Sequence, residues 1–121
     1  MQINSYRDLK VWQAGMNLVF EVYRITQKFP KYEVYGLSSP VQRAAVSIPS
    51  NIAEGHTRES TKEYLQSLSI ALGSLAELET QLMLAQRLLY IEVEDLELAL
   101  SKTDSISRVL RGLQKSLKAK L

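Results

Sequence analysis

The sequence has no cysteine and a single histidine, His56. Without thiols there can be no disulfide framework, no cysteine-ligated zinc or iron–sulfur cluster and no thiol nucleophile. Without a second imidazole there is no histidine pair for a metal or a proton relay. Glycine (5) and proline (3) are scarce among the 121 residues, so no linker, repeat or domain boundary is expected. Net charge is low as well, with 15 Lys plus Arg against 13 Asp plus Glu giving only +2. No uncharged apolar run approaches the ~18 residues of a membrane span. Arg7, Asp8 and Lys10 precede any sustained apolar stretch, so a cytoplasmic protein without a secretory leader is expected.

Enzyme signatures are missing too. There is no Gly-rich phosphate loop, no nucleophile elbow and no Glu-x-x-His repeat of the di-iron bundles. His56 follows Gly55 in a predicted turn, where a solvated residue is the simpler reading than a ligand or a base. Ser47, Asn51 and Glu54 share one stretch but lack an accompanying base or metal. Neither catalysis nor a cofactor is expected.

What the chain does have is helical periodicity. Its 45% hydrophobic and 23% charged residues are those of a globular protein, and a chain this long supports one core, giving a single domain over 1–121. The apolar spacing predicts an all-α, antiparallel up-down-up-down four-helix bundle with helices at about 6–28, 38–55, 60–90 and 92–118. A serine cap at Ser38 or Ser39 with Pro40 in the first turn opens the second helix. Pro49 should kink that helix, and Gly55 should end it in the left-handed conformation. Ser60 or Thr61 with Glu63 resembles a capping box opening the third helix. Gly73 inside the third helix costs about 1 kcal/mol relative to alanine and suggests close packing against a neighbour.

The first helix is apolar on two sides. Leu9, Trp12, Met16, Val19, Phe20 and Tyr23 share one face, while Val11, Leu18, Val22, Ile25 and Phe29 lie nearly opposite. Such a helix either contacts three neighbours within a monomer or uses its second face between subunits. The second reading assigns Val11, Leu18, Val22 and Ile25 to an oligomer interface.

Basic residues are the remaining resource. Arg108, Arg111, Lys115 and Lys118 fall on one helical face, and residues 105–121 contain no acid. Such a stripe can hold phosphates, or it can simply complement the helix macrodipole. A basic amphipathic helix on anionic lipid is the weaker alternative, because the bundle needs its apolar line. Arg43, Ser47, Ser50 and Glu54 form a second polar stripe, with Asn51 at its edge and Arg58 and Lys62 just beyond the turn. These groups could bind phosphate; the preferred reading is structural, with Asn51 and Glu54 satisfying backbone groups exposed by Pro49 and by the turn at Gly55.

The segments LSSPVQRAAVSIPSNIAEGHTRES and KEYLQSLSIALGSLAELETQLMLAQRLLYI, together with YRDLKVWQAGMNLVFEVYRITQKFP, resemble the bacterial four-helix bundle proteins encoded in intervening sequences of 23S ribosomal RNA genes. The resemblance covers about residues 6–110 and is most specific over Ser47–Gly55 and Gly73–Leu82. More distantly, the chain is similar to the accessory variability determinant of diversity-generating retroelements. The resemblance implies a homopentamer with a central pore, no catalytic activity, and association with RNA or DNA through basic surface. A polymerase or reverse transcriptase recruited by the helical faces is the protein-partner alternative. Where relatives commonly carry Gln, a branched residue and two basic residues, this chain has Pro40, Val41, Gln42 and Arg43, so only Arg43 retains a basic position.

Overall fold

The described residues form four α-helices: α1 (Lys10–Thr26), α2 (Ser38–Thr57), α3 (Thr61–Arg87) and α4 (Val93–Lys118). They come from a computed structural model that describes residues 5–121. A short 3-10 turn at Tyr6–Asp8 leads into α1, and another at Lys31–Glu33 lies in the α1–α2 connection. Each helix packs against its neighbour in sequence, and α4 closes the ring against α1. The pairings run antiparallel. Along α2 and α3, Gly55 faces Ser67 while Ser47 bonds Ser74; along α3 and α4, Ser69 bonds Gln114 while Glu79 bonds Thr103. The expected up-down-up-down bundle is therefore the observed one.

Its centre is built from Leu18 and Ile25 of α1, Ile48 and Ile52 of α2, Leu68, Leu78 and Leu82 of α3, and Ile106 and Leu110 of α4, all essentially inaccessible. Burial of each such side chain contributes about 1.5–3 kcal/mol. Val11, Leu18, Val22 and Ile25, expected at a subunit interface, are buried inside the protomer. That assignment is corrected: the two-sided apolarity of α1 is real, but its sides are exchanged. Met16, Phe20 and Tyr23 are the large apolar residues of α1 left in solvent, Phe20 being 77% exposed. Val46 of α2 is exposed as well, and Tyr23 and Val46 line one groove between the two helices. Apolar periodicity locates two stripes on a rod but does not say which one faces the other three.

The glycines behave differently from their sequence-based roles. Gly55 does not stop α2 in a left-handed conformation; it lies within the helix, which runs through Pro49 to Thr57. A Cβ at Gly55 would fall 2.7 Å from Ser67 Cβ and 2.9 Å from Tyr64 Cδ1, so the residue is small because α3 passes there. Gly15 gives α2 the same clearance, its absent Cβ lying 3.3 Å from Pro49 Cβ. Gly73, expected to pack closely, faces open space.

Helix ends also depart from expectation in part. Ser60 caps α3 as anticipated, its Oγ accepting from Glu63 N at 3.0 Å. At α2 neither Ser38 nor Ser39 is the cap. The residue before the helix is Leu37, whose N–H donates instead to Glu33 Oε1 at 3.0 Å. Glu33 Oε2 accepts from Tyr90 Oη at 2.7 Å, and Tyr90 Oη lies 3.2 Å from Tyr32 Oη. These bonds hold the Glu33 carboxyl below, and the Tyr90 phenol above, their ordinary ranges. One carboxylate thus ties the α1–α2 connection to the α3–α4 turn.

Candidate nucleic-acid interface

Antiparallel packing collects at one end of the bundle the start of α1, the end of α2, the start of α3 and the end of α4. Tyr6 accordingly lines a groove with Ala53, Glu54, Thr57 and Arg58. Most of the sequence-predicted cations therefore share this end, which we call the basic pole: Arg58 and Lys62 at the α2–α3 turn, and Arg111, Lys115 and Lys118 on the last turns of α4. The opposite end carries Glu92, Glu94 and Glu97. A formal charge of +2 thus conceals a lengthwise separation of sign.

The cations differ in how committed they are. Arg58 is spoken for: it bonds Glu54 at 2.7 Å and lies 3.5 Å from Glu63, contacts that raise the pKa of its guanidinium. Arg108, expected to head the phosphate stripe, pairs with Asp104 at 2.7 Å on exposed surface. Arg111, Lys115 and Lys118 are exposed and have no ion pair among the described residues. Lys62 is likewise exposed and unpaired. Arg43 stands apart, nearer the other end of α2, where it donates to Ser39 Oγ at 2.9 Å and borders the Tyr23–Val46 groove.

Several groups of the α2 polar cluster are bonded within the protein, though not in the way anticipated. Asn51 Nδ2 donates to Ser47 O at 2.8 Å and to Ser47 Oγ at 2.9 Å, and that hydroxyl meets Ser74 Oγ at 2.8 Å. Pro49 deprives the Ala45 carbonyl of its amide, yet Asn51 serves Ser47 rather than Ala45. Glu54 pairs with Arg58 and not with turn backbone. His56 stacks edge-on against Tyr64 with ring centroids 5.9 Å apart.

Two features escaped the sequence reading. Asp95, buried at the start of α4, bonds Lys28 Nζ at 2.8 Å, Arg24 Nη2 at 3.3 Å and Glu92 N at 3.4 Å. Its pKa is lowered chiefly by Lys28. Only the acidic first turn of α4 hinted at it. The other is a cleft of about 500 Å³ between α2 and α3 at the basic pole, bordered by Glu54, Arg58, Lys62, Gln66, Ser67 and Ile70. Nothing in the apolar pattern signals a cleft made by polar residues on two helices.

No group of three or more His, Asp or Glu residues able to hold a metal occurs among the described residues. No helix among them is long and apolar enough to cross a membrane. No curated protein matches the chain. In fold it is similar to a protein of unknown function from the S23 ribosomal protein family of Bacteroides thetaiotaomicron, at 24% identity and a TM-score of 0.81 over 87% of this chain and 98% of that one. The sequence pattern of the 23S rRNA-intervening sequence proteins matches residues 7–112. With that match spanning nearly the whole bundle, the chain belongs to the 23S rRNA-intervening sequence protein family.

Proposed function

We propose that this chain is a non-enzymatic, cytoplasmic bundle that self-associates and binds structured RNA through its basic pole. The observation that carries this reading is the end of α4, where Arg111, Lys115 and Lys118 are exposed and have no ion pair among the described residues, along a stretch without acids. Cations bound to carboxylates have little left for phosphate, whereas free ones release counterions when a polyanion docks. Self-association sets copies of the pole side by side and multiplies its field. The face for that contact is Met16, Phe20 and Tyr23 of α1 with Val46 of α2. A pentameric ring, the arrangement the family resemblance implies, would use it once per subunit.

Fluorescence anisotropy with a labelled RNA hairpin across a salt series tests the reading. Affinity falls linearly in log–log form with a slope of about −0.7 to −0.9 per phosphate neutralised. Replacing Arg111, Lys115 and Lys118 together by Ala shallows that slope while the helical content stays unchanged. Salt-independent binding, or an unchanged slope in the triple variant, refutes the assignment.

A second reading, a scaffold for a protein partner, draws on the opposite end. Tyr32, Tyr35 and Leu89 are exposed there, Tyr35 by 98% and Leu89 by 83%. Capture of a partner that survives nuclease and high salt favours this alternative.

A further inference from the structure

The cleft between α2 and α3 is not explained by phosphate binding. Its volume, about 500 Å³, falls in the range of small-molecule sites, roughly 300–1,000 Å³. Its charges cancel in number, however: Glu54 and Glu63 both engage Arg58, and the unpaired Lys62 balances the second carboxylate. A bare anion gains nothing from such a lining. What remains is a set of unspent hydrogen-bonding groups around one apolar surface. Ser67, only 6% exposed, sits against Gly55 and borders the cleft, where its hydroxyl has no protein partner among the described residues and stays open to solvent. Gln66 adds an exposed carboxamide, and the side chain of Ile70, half in solvent, offers an apolar flank.

Planar faces that pack on an aliphatic side chain, ringed by donors and acceptors and carrying one negative charge at the edge, describe a nucleotide unit. We propose that the cleft receives one unstacked base of an RNA strand: Ile70 packs on its face, Ser67 and Gln66 bond its edge, and Lys62 at the rim meets the adjoining phosphate. This rests on the RNA reading above and adds to it a base-dependent contact. Because the cleft and the end of α4 lie at the same pole, the backbone of a looped or single-stranded segment can follow Lys115 and Lys118 while one base turns inward. Regular duplex, with its bases stacked, offers the cleft nothing.

The test compares a short single-stranded RNA with an abasic strand of equal length and charge, by anisotropy at fixed salt. Wild-type protein binds the base-bearing strand about tenfold more tightly, as expected for one or two hydrogen bonds plus packing. Ser67→Ala keeps the Cβ that rests on Gly55, and Gln66→Ala changes an exposed residue, so both retain the fold. With Ile70→Ser, each reduces the difference between the strands without altering the salt slope. Replacing Arg111, Lys115 and Lys118 does the reverse and weakens both strands alike. Equal wild-type affinity for the two strands, with a normal salt slope, overturns the base site and leaves the basic-pole reading standing. Discrimination that persists undiminished in all three cleft variants also overturns the base site. Absence of binding to either strand at low salt overturns both.

Discussion

Lys28 Nζ donates to Asp95 Oδ2 at 2.8 Å, joining the segment just past α1 to the first turn of α4 across 67 residues of sequence. Arg24 reaches the other carboxylate oxygen at 3.3 Å and also pairs with Glu21. Asp95 itself is buried, whereas both cations are about half exposed. The pair closes the contact between the first and last helices, which no turn connects. It also places an acid where the α4 macrodipole favours one.

Asp95→Asn keeps the shape and removes the charge. Loss of its charge-assisted bonds should lower stability by about 1–2 kcal/mol at neutral pH, measured by urea denaturation. The folded-state pKa of Asp95 is depressed, so its contribution is complete above the unfolded value of about 3.9 and is lost as pH falls through the lower folded value. The gap between wild type and Asp95→Asn should therefore be constant from neutral pH to about pH 5 and shrink below pH 4. A gap that widens on acidification contradicts the assignment.

Two glycine substitutions should have opposite signs. Gly73→Ala adds a methyl into open space on a helix and should raise stability by about 0.5–1 kcal/mol. Gly55→Ala drives a Cβ against Ser67 and Tyr64 and should cost about 1–3 kcal/mol, the range of overpacked interiors. Thermal melts of the two variants make the comparison directly.

Leu89 adopts φ 64° where α3 ends, with Tyr90 N donating to Ala85 O at 2.9 Å in the manner of a Schellman cap. A leucine in the left-handed region costs about 1–2 kcal/mol, and its side chain is 83% exposed, so little packing offsets that cost. Leu89→Gly should stabilise the fold by about 0.5–1 kcal/mol, reduced from the full strain by the greater freedom of an unfolded glycine. A lower melting temperature would show that Leu89 makes contacts the isolated chain does not reveal.

The exchange of faces on α1 has its own test. Phe20→Glu should leave the melting temperature within a few degrees but reduce the mass seen by light scattering. Val22→Glu buries a carboxylate in the core and should abolish cooperative folding. If Phe20→Glu leaves the mass unchanged, the exposed stripe is not a contact between copies.

Much of this architecture was legible in the chain. Long runs at helical spacing, Ser60 before α3 and Pro40 inside the first turn of α2 placed four helices within a few residues of their observed ends. Facing was not legible, because Val22 and Phe20 are equally apolar and only the packing of three other helices distinguishes them. Gly55 and Gly73 look alike in sequence, yet one is crossed by α3 and the other faces solvent. The cations were visible individually; their pairing was not, since Arg58 and Arg108 find carboxylates through side-chain reach rather than composition. Ser67 carried no signal at all, being one of several serines on a helix.

The Glu33–Tyr90 bond fastens two chain reversals to each other at a single end of the molecule, and the Lys28–Asp95 bond lies close by. The far end has one reversal, between α2 and α3, and the turn at Tyr6–Asp8 packs there against α1 and α2. Opening should begin there, like a clothes-peg hinged at the acidic end, so amide exchange is fastest around the cations and slowest beside the tyrosines. Ligands that bridge the helices at that end would register as slowed exchange well before any change in the bundle's shape.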